Sequence, residues 1–360
     1  MKIKVAILDI DEPYLNRITP ALESRYTSRL ELYCFTDKEK ALKAIEVSGI
    51  HILLSSTVFE IDVNKLPAHC CLAYLAETNN FIQYNGHNSI FKYQKIEQIF
   101  NAILTICADS NIGAFPADTP ASQNKTDLYV FTSASGGVGA SSVAIAFSIY
   151  NAKHNNKTLY INLECFGNTD IYFNGTGQAD FRDILYTIKS GNTNAIIKFE
   201  GSVKKDSSGV FYISSPKSAL DLFSLTENDI DDILSLCYSS ALFDCIIIDA
   251  DFSIDEKRIA LFKKANALIF VTDGSEVSNE KLNKAFEAIT QIEQQAGEMI
   301  LAHSSIFYNK FSKKTGGQIE FPGIKIIGGS PKYEHTPYMK IINNLADSTQ
   351  FADLYAHRGQ

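Results

Sequence analysis

LYVFTSASGGVGASSVAIAFSIYNA, residues 128–152, joins a short apolar run to a glycine-rich turn and then to a long stretch of small and apolar residues. The run LYVFT has the length and composition of a buried strand, and VAIAFSIYNA, with no alternation, reads as a buried helix. A loop that leaves a buried strand and enters a helix directs backbone N–H groups and the positive end of the helix dipole at one point, which suits an anion. Gly136, Gly137 and Gly139 permit the close approach and unusual dihedrals such a loop needs. The phosphate-binding pattern GxxxxGK[ST] would place Gly at 134, Lys at 140 and Ser or Thr at 141, whereas the chain has Ala134, Ala140 and Ser141. The glycines alone fit a plain tight turn better than a ligand loop.

Three features further along the chain favour the ligand loop. The apolar run CIIIDAD (245–251) carries Asp249, TLYINLE (158–164) ends on Glu164, and Asn309-Lys310 follows the run SSIFY. With VFYIS (210–214), ALIFVTD (267–273) and KIIGG (325–329), separated mostly by helical stretches, these runs predict a parallel α/β domain over residues 127–360. Ahead of it, ADSNIGAFPADTPASQNKT (108–126) has no hydrophobic periodicity and reads as a linker. Residues 1–107 alternate apolar runs VAIL (5–8), LELYCF (30–35) and HILL (51–54) with helical patterns, which predicts a second doubly wound parallel sheet.

Composition narrows the function classes. A formal charge of −8 with scattered Lys and Arg argues against a nucleic-acid footprint. No apolar run approaches membrane-spanning length, the N-terminus lacks a leader pattern, and seven cysteines in apolar settings without metal-ligand spacing read as reduced core thiols. The expectation is a cytoplasmic protein. Its tail MKIINNLADSTQFADLYAHRGQ lacks the Lys/Arg-rich face of a membrane-surface helix, so direct membrane insertion is not expected.

Residues 127–350 resemble the MinD/ParA class of P-loop ATPases, whose deviant loop reads KGGxGK[ST]. The chain matches GGVG at 136–139 and the hydroxyl at Ser141, but has Ser135 for the signature lysine and Ala140 for the P-loop lysine. The class's DxD-like segment corresponds to Asn162 and Glu164, followed by Gly167-Asn168. The resemblance implies ATP and Mg²⁺. The phosphates would lie on the backbone of Gly136, Gly137, Val138, Gly139, Ala140, Ser141 and Ser142. Mg²⁺ would bind Ser141, with Asp249 holding its water shell and Glu164 nearby, these two acids being the candidates for any residual catalysis. The adenine would meet Asn309, Lys310 and the turn at Pro331 and Lys332. Asp251 and Asp273 read equally well as site acids or as caps. Loss of two cationic transition-state stabilisers, each worth about 2–4 kcal/mol, implies slow hydrolysis or none, while backbone N–H groups and Mg²⁺ retain much of the binding. Lys204, Lys205, Lys217 and Lys281 could substitute, although each reads better as a surface charge.

Residues 1–107 resemble a response-regulator receiver. Asp9, Asp11 and Glu12 stand near its metal-binding acids and Lys92 matches its lysine, but Ile10 interrupts the acid pair, Ser55 and Ser56 replace the phosphate acceptor, and Tyr93 replaces a proline. Phosphoryl-aspartate chemistry needs a carboxylate nucleophile, so no phosphotransfer is expected. A degenerate receiver ahead of a MinD/ParA-like domain resembles the arrangement of the TadZ/CpaE proteins of Tad (Flp) pilus assembly. That likeness implies a homodimer with nucleotide at its interface, pilus-assembly or polar partner proteins, and recruitment to a cell pole or the inner face of the membrane. The alternatives are an active regulatory ATPase of flagellar placement or partitioning, and a transcriptional regulator; the latter lacks a helix-turn-helix pattern.

Overall fold

The structure, a computed structural model, describes residues 2–78, 83–109, 126–177, 179–190, 194–297, 299–312, 314, 316–352 and 354. Most of the linker and the last residues of the tail lie outside this set. Two compact units emerge, Met1–Asp118 with Tyr186–Ser202, and Thr119–Leu185 with Val203–Gln360. The linker at 108–126 therefore does not by itself divide them, because a segment beyond it packs with the first unit.

In the first unit β1 (Ile3–Leu8), α1 (Glu12–Tyr26), β2 (Leu30–Phe35), α2 (Lys38–Ser48), β3 (Ile52–Ser56), β4 (Cys71–Ala76), β5 (Gln83–Tyr84), β6 (His87–Phe91) and α3 (Ile96–Asp109) form a sheet of order β2-β1-β3-β4-β6-β5. All pairings are parallel except β5 with β6. The period of two decides what covers each face. Ile3, Val5 and Ile7 share a core with α1 and α3, while Ala6 and Leu8 share one with α2. A single 3₁₀ turn, Val63–Lys65, lies between β3 and β4, and the β5–β6 hairpin occupies the next connection, where a helical alternation is expected from the sequence. Cys34 is exposed, unlike the core thiols expected, and all seven cysteines are unbridged.

The second unit continues with β7 (Asp127–Thr132), α4 (Ala140–Lys153), β8 (Thr158–Asn162), α5 (Phe181–Lys189), α6 (Ala195–Ser202), β9 (Lys204–Lys205), β10 (Phe211–Tyr212), α7 (Ala219–Phe223), α8 (Glu227–Ser240), β11 (Cys245–Asp249), α9 (Glu256–Lys264), β12 (Ala267–Thr272), α10 (Glu276–Ala296), β13 (Ser304–Phe311), β14 (Lys325–Pro331) and α11 (Tyr338–Ala346), of which α6 belongs to the first unit. The sheet order is β14-β13-β12-β7-β11-β8-β10-β9, parallel throughout except for the edge strand β9. Tyr129 and Phe131 point to the face covered by α4, and Phe147 of α4 meets both rings. Every residue of α4 from Ser142 to Asn151 is buried, because α11 and Phe351 close over its outer side. A helix enclosed on all sides needs no polar stripe, which accounts for its uniform sequence. On the opposite face Phe262, Phe252, Phe270 and Phe286 follow in series, the first pair stacked and the next two edge to face.

The helix α6 docks on α3 through Ile197, which joins the core of the first unit. Gly201 permits the close approach, since a Cβ there would stand 3.1 Å from Thr105 Oγ1. Glu200 pairs with Arg29. Burial pushes the Glu200 carboxyl up to about 7, even with Arg29 pulling the other way.

Candidate functional site

Register builds the site. Asp249 pairs with Phe131 on one side and Asn162 on the other, so the carboxyl ends of β7, β8 and β11 finish at one edge of the sheet. Ligands of open α/β sheets bind at this edge. The loop after β7 turns through Gly137 at φ 78° and Gly139 at φ 90°, and Gly139 opens α4 with no side-chain cap. The first N–H groups of α4 thus have no side-chain acceptor from their own cap. In front of them lies a cavity of about 500 Å³, lined by residues 133–137 and 139–142, by Glu164 and residues 250–252, and by Tyr172, Lys310 and Tyr338.

Acids gather on one side of this cavity. Ser141 Oγ donates to Glu164 Oε2 at 3.0 Å. Asp249 is fully buried; its Oδ2 accepts from Tyr160 Oη at 2.8 Å, and its Oδ1 is buried without a donor. Burial pushes both carboxyls up, Asp249 well above its usual range; repulsion from Glu164 raises Asp249 further, and repulsion from Asp251 raises Glu164. Asp251 lies on the cavity wall and accepts from the Cys165 N–H at 2.7 Å, while the buried Arg258 donates to Leu163 O at 2.6 Å. A hydroxyl bonded to one acid, near a second buried acid with an orphaned oxygen, fits a divalent cation. Among the described residues no group of three or more His, Cys, Asp or Glu could hold a metal.

The other expected residues divide. Gly136, Gly137, Gly139, Ala140, Ser141, Ser142, Glu164 and Lys310 meet at the cavity, with Asp249 beneath it. Val138 is buried off the wall, and neither Pro331 nor Lys332 lines it. Asn309 is also off the wall: its Nδ2 donates to Val138 O at 2.8 Å and its Oδ1 accepts from Ser330 Oγ at 2.7 Å. Both ends of its amide hold protein together, tying the loop to β14. Asp251 reaches the cavity, whereas Asp273 is a turn residue accepting from the N–H and hydroxyl of Ser275. Of the four candidate lysines none lines the cavity. Lys204 is buried, not a surface charge, and donates to Ser214 Oγ at 2.6 Å. Tyr172 and Tyr338, ring centroids 5.7 Å apart, carried no signal in the sequence, and Tyr338 Oη stands 2.7 Å from Ser142 Oγ.

The first unit holds a second arrangement of acids. Lys92 Nζ, buried, lies 2.8 Å from Asp9 Oδ2 and 3.2 Å from Asp11 Oδ2, and 4.5 Å from the centroid of the Tyr14 ring. Burial alone would lower the ammonium, but Asp9 and Asp11 hold it above its usual value. Asp11 also caps α1, accepting from the Tyr14 N–H at 2.9 Å. Glu12 is exposed at the start of α1, and Ser55 and Ser56 end β3 buried. The five parallel strands, the acids after β1 and the lysine after β6 make a receiver-like arrangement in which the lysine pairs with both acids.

Residues 1–108 match the family described as TadZ-like, receiver domain. Beyond this TadZ-like region, solved structures resemble the chain in part. A ParA family ATPase from Chlorobium tepidum TLS is 18% identical, with 62% of this chain and 99% of that one covered at a TM-score of 0.49. The septum site-determining protein MinD complexed with Mg-ADP from Pyrococcus horikoshii OT3 is 14% identical, with 64% and 99% covered at 0.46. The MinC:MinD cell division protein complex of Aquifex aeolicus is 16% identical, with 61% and 86% covered at 0.46. No curated protein matches the chain.

Proposed function

We propose that this chain is a nucleotide-dependent scaffold of the TadZ/CpaE kind, binding ATP·Mg²⁺ in the second unit and turning it over slowly or not at all. The observation that carries the reading is the glycine loop opening an uncapped helix beside Ser141, Glu164 and Asp249. Backbone N–H groups would hold the phosphates. Ser141 would ligate Mg²⁺, with Asp249 and Glu164 fixing its waters. Mg²⁺ supplies charge neutralisation of the phosphates when bound. Ser135 and Ala140 contribute no cation from the loop, which supports binding without fast hydrolysis.

The TadZ-like match of residues 1–108 supports Tad pilus assembly as the setting. The receiver-like pocket would act as a docking fold, since Lys92 occupies the acids and Ser55 stands where an acceptor carboxylate is needed. Nucleotide would favour a homodimer, a ligand-linked shift that needs no hydrolysis. Pilus or polar proteins would recruit it from the cytoplasm. Among the described residues no helix is long and apolar enough to cross a membrane.

Sedimentation velocity with and without ATP·Mg²⁺, with phosphate release followed on the same samples and titration calorimetry beside it, tests this reading. A dimer that forms or tightens with ATP while phosphate stays flat is the expected result. Absence of ATP binding sinks it, and steady phosphate release moves the assignment to the regulatory ATPase.

A further inference from the structure

Two adjacent residues of β13 hold the loop by successive carbonyls. Asn309 Nδ2 donates to Val138 O, and Lys310 Nζ donates to Gly137 O at 2.7 Å. In a trans peptide the C=O and the following N–H point in opposite directions. Holding Gly137 O and Val138 O towards β13 therefore turns the N–H groups of Val138 and Gly139 away from it, fixing the loop's donors. Lys310 takes this place in a left-handed backbone conformation, φ 60°, which a residue with a Cβ seldom adopts. Such outliers concentrate where a side chain must reach one position.

The two residues differ in what they have left to give. Asn309 is buried off the cavity wall, with each end of its amide bonded to protein. An ammonium has three donors, of which Gly137 O takes one, and the Lys310 side chain stands on the cavity wall. Among the described residues Lys310 is the one cationic residue on that wall, which also carries Glu164 and Asp251. A polyphosphate would enter a cavity whose loop supplies no charge and whose acids repel it.

We propose that Lys310 is the phosphate-binding cation of this site, delivered from β13 in place of the lysines that positions 135 and 140 lack. This rests on the nucleotide reading above. The lysine leaves or shares its bond to Gly137 O to meet the polyphosphate, while Asn309 keeps the loop in place.

Calorimetry on the full chain with ATP·Mg²⁺ and ADP·Mg²⁺ at several salt concentrations tests it, using wild type, Lys310→Gln and Lys310→Gly, with thermal midpoints taken for each. A charge-assisted contact predicts that Lys310→Gln weakens ATP·Mg²⁺ by about 10-fold or more, weakens ADP·Mg²⁺ less, and flattens the salt dependence. Lys310→Gly relaxes the left-handed backbone, so it should melt at or above the wild-type temperature while losing the same affinity. Wild-type affinity and salt dependence in both variants overturn the assignment while leaving the nucleotide reading intact. An equal loss for ATP and ADP with unchanged salt dependence also overturns it, making Lys310 a loop holder only. If the wild type binds neither nucleotide, the nucleotide reading and this assignment fall together.

Discussion

Each unit gathers acids at one place, and the two places differ in whether a cation already sits on them. In the first unit the space between Asp9 and Asp11 is filled by Lys92, buried and in ion-pair contact with both. In the second the acids Glu164 and Asp249 stand beside an open cavity of about 500 Å³, and the cation Lys310 stays on its rim. On the function proposed above, the difference separates a retired site from a retained one. A retired pocket satisfies its own charges. A retained one leaves charge and donors unsatisfied until something arrives.

The largest expected effect comes from unplugging the first pocket. Asp9→Asn leaves Lys92 buried with only a half-exposed partner, and breaking such a pair costs about 3–5 kcal/mol; denaturant unfolding followed from the first unit should read it. The double variant Asp9→Asn with Lys92→Met should recover much of the loss. If it does not, the pocket holds more than its own ion pairs.

Next comes the loop. Gly139→Ala places a Cβ at φ 90° and 2.5 Å from Asn309 Nδ2, which should cost about 2–3 kcal/mol in strain and displacement and abolish ATP·Mg²⁺ binding. Gly136→Ala, with nothing within 4 Å of the added carbon, should leave unfolding unchanged, so the pair separates loop geometry from glycine content.

Smaller is Ser141→Ala, which should weaken ATP·Mg²⁺ by about 10-fold, or about 1.4 kcal/mol, and leave metal-free ATP binding nearly unchanged in the same calorimeter. The smallest effect is a slope. Because burial raises the carboxyls of Glu164 and Asp249 in the folded protein, that protein binds protons more tightly than the unfolded chain above the usual carboxylate range. Their contribution to stability is therefore present at low pH and lost as pH rises through their folded values. Added ATP·Mg²⁺ should offset this loss, so the thermal shift it produces should grow with pH; a shift independent of pH would mean the acids do not face the cation.

Much of the second site was legible in the sequence because parallel strands in register end together. Asp249 and Glu164 could be placed at the loop's edge from the runs that carry them. Lys310 was visible as a residue near the site but not as its cation, since it reaches Gly137 across 173 positions of sequence and its backbone conformation has no sequence signature. Asn309 is likewise readable by position, whereas its partners Val138 and Ser330 are not. In the first unit, CLAYLA read only as an apolar setting for cysteines and HNSIF carries polar residues near a sheet edge, so β4 and β6 escaped notice. Lys92 was recognisable by position, but its burial between two acids depends on Tyr14 covering it.

The docking of α6 has a practical corollary. The chain passes from the first unit to the second, back again at Tyr186, and out once more after Ser202. One cut between residues 108 and 126 would consequently yield two fragments that remain associated, joined by the buried grip of Ile197 and the Arg29–Glu200 pair. A recombinant fragment stopping at residue 108 would have a hole where a borrowed helix belongs, and would need that helix supplied as a separate peptide before its behaviour could stand for the intact protein.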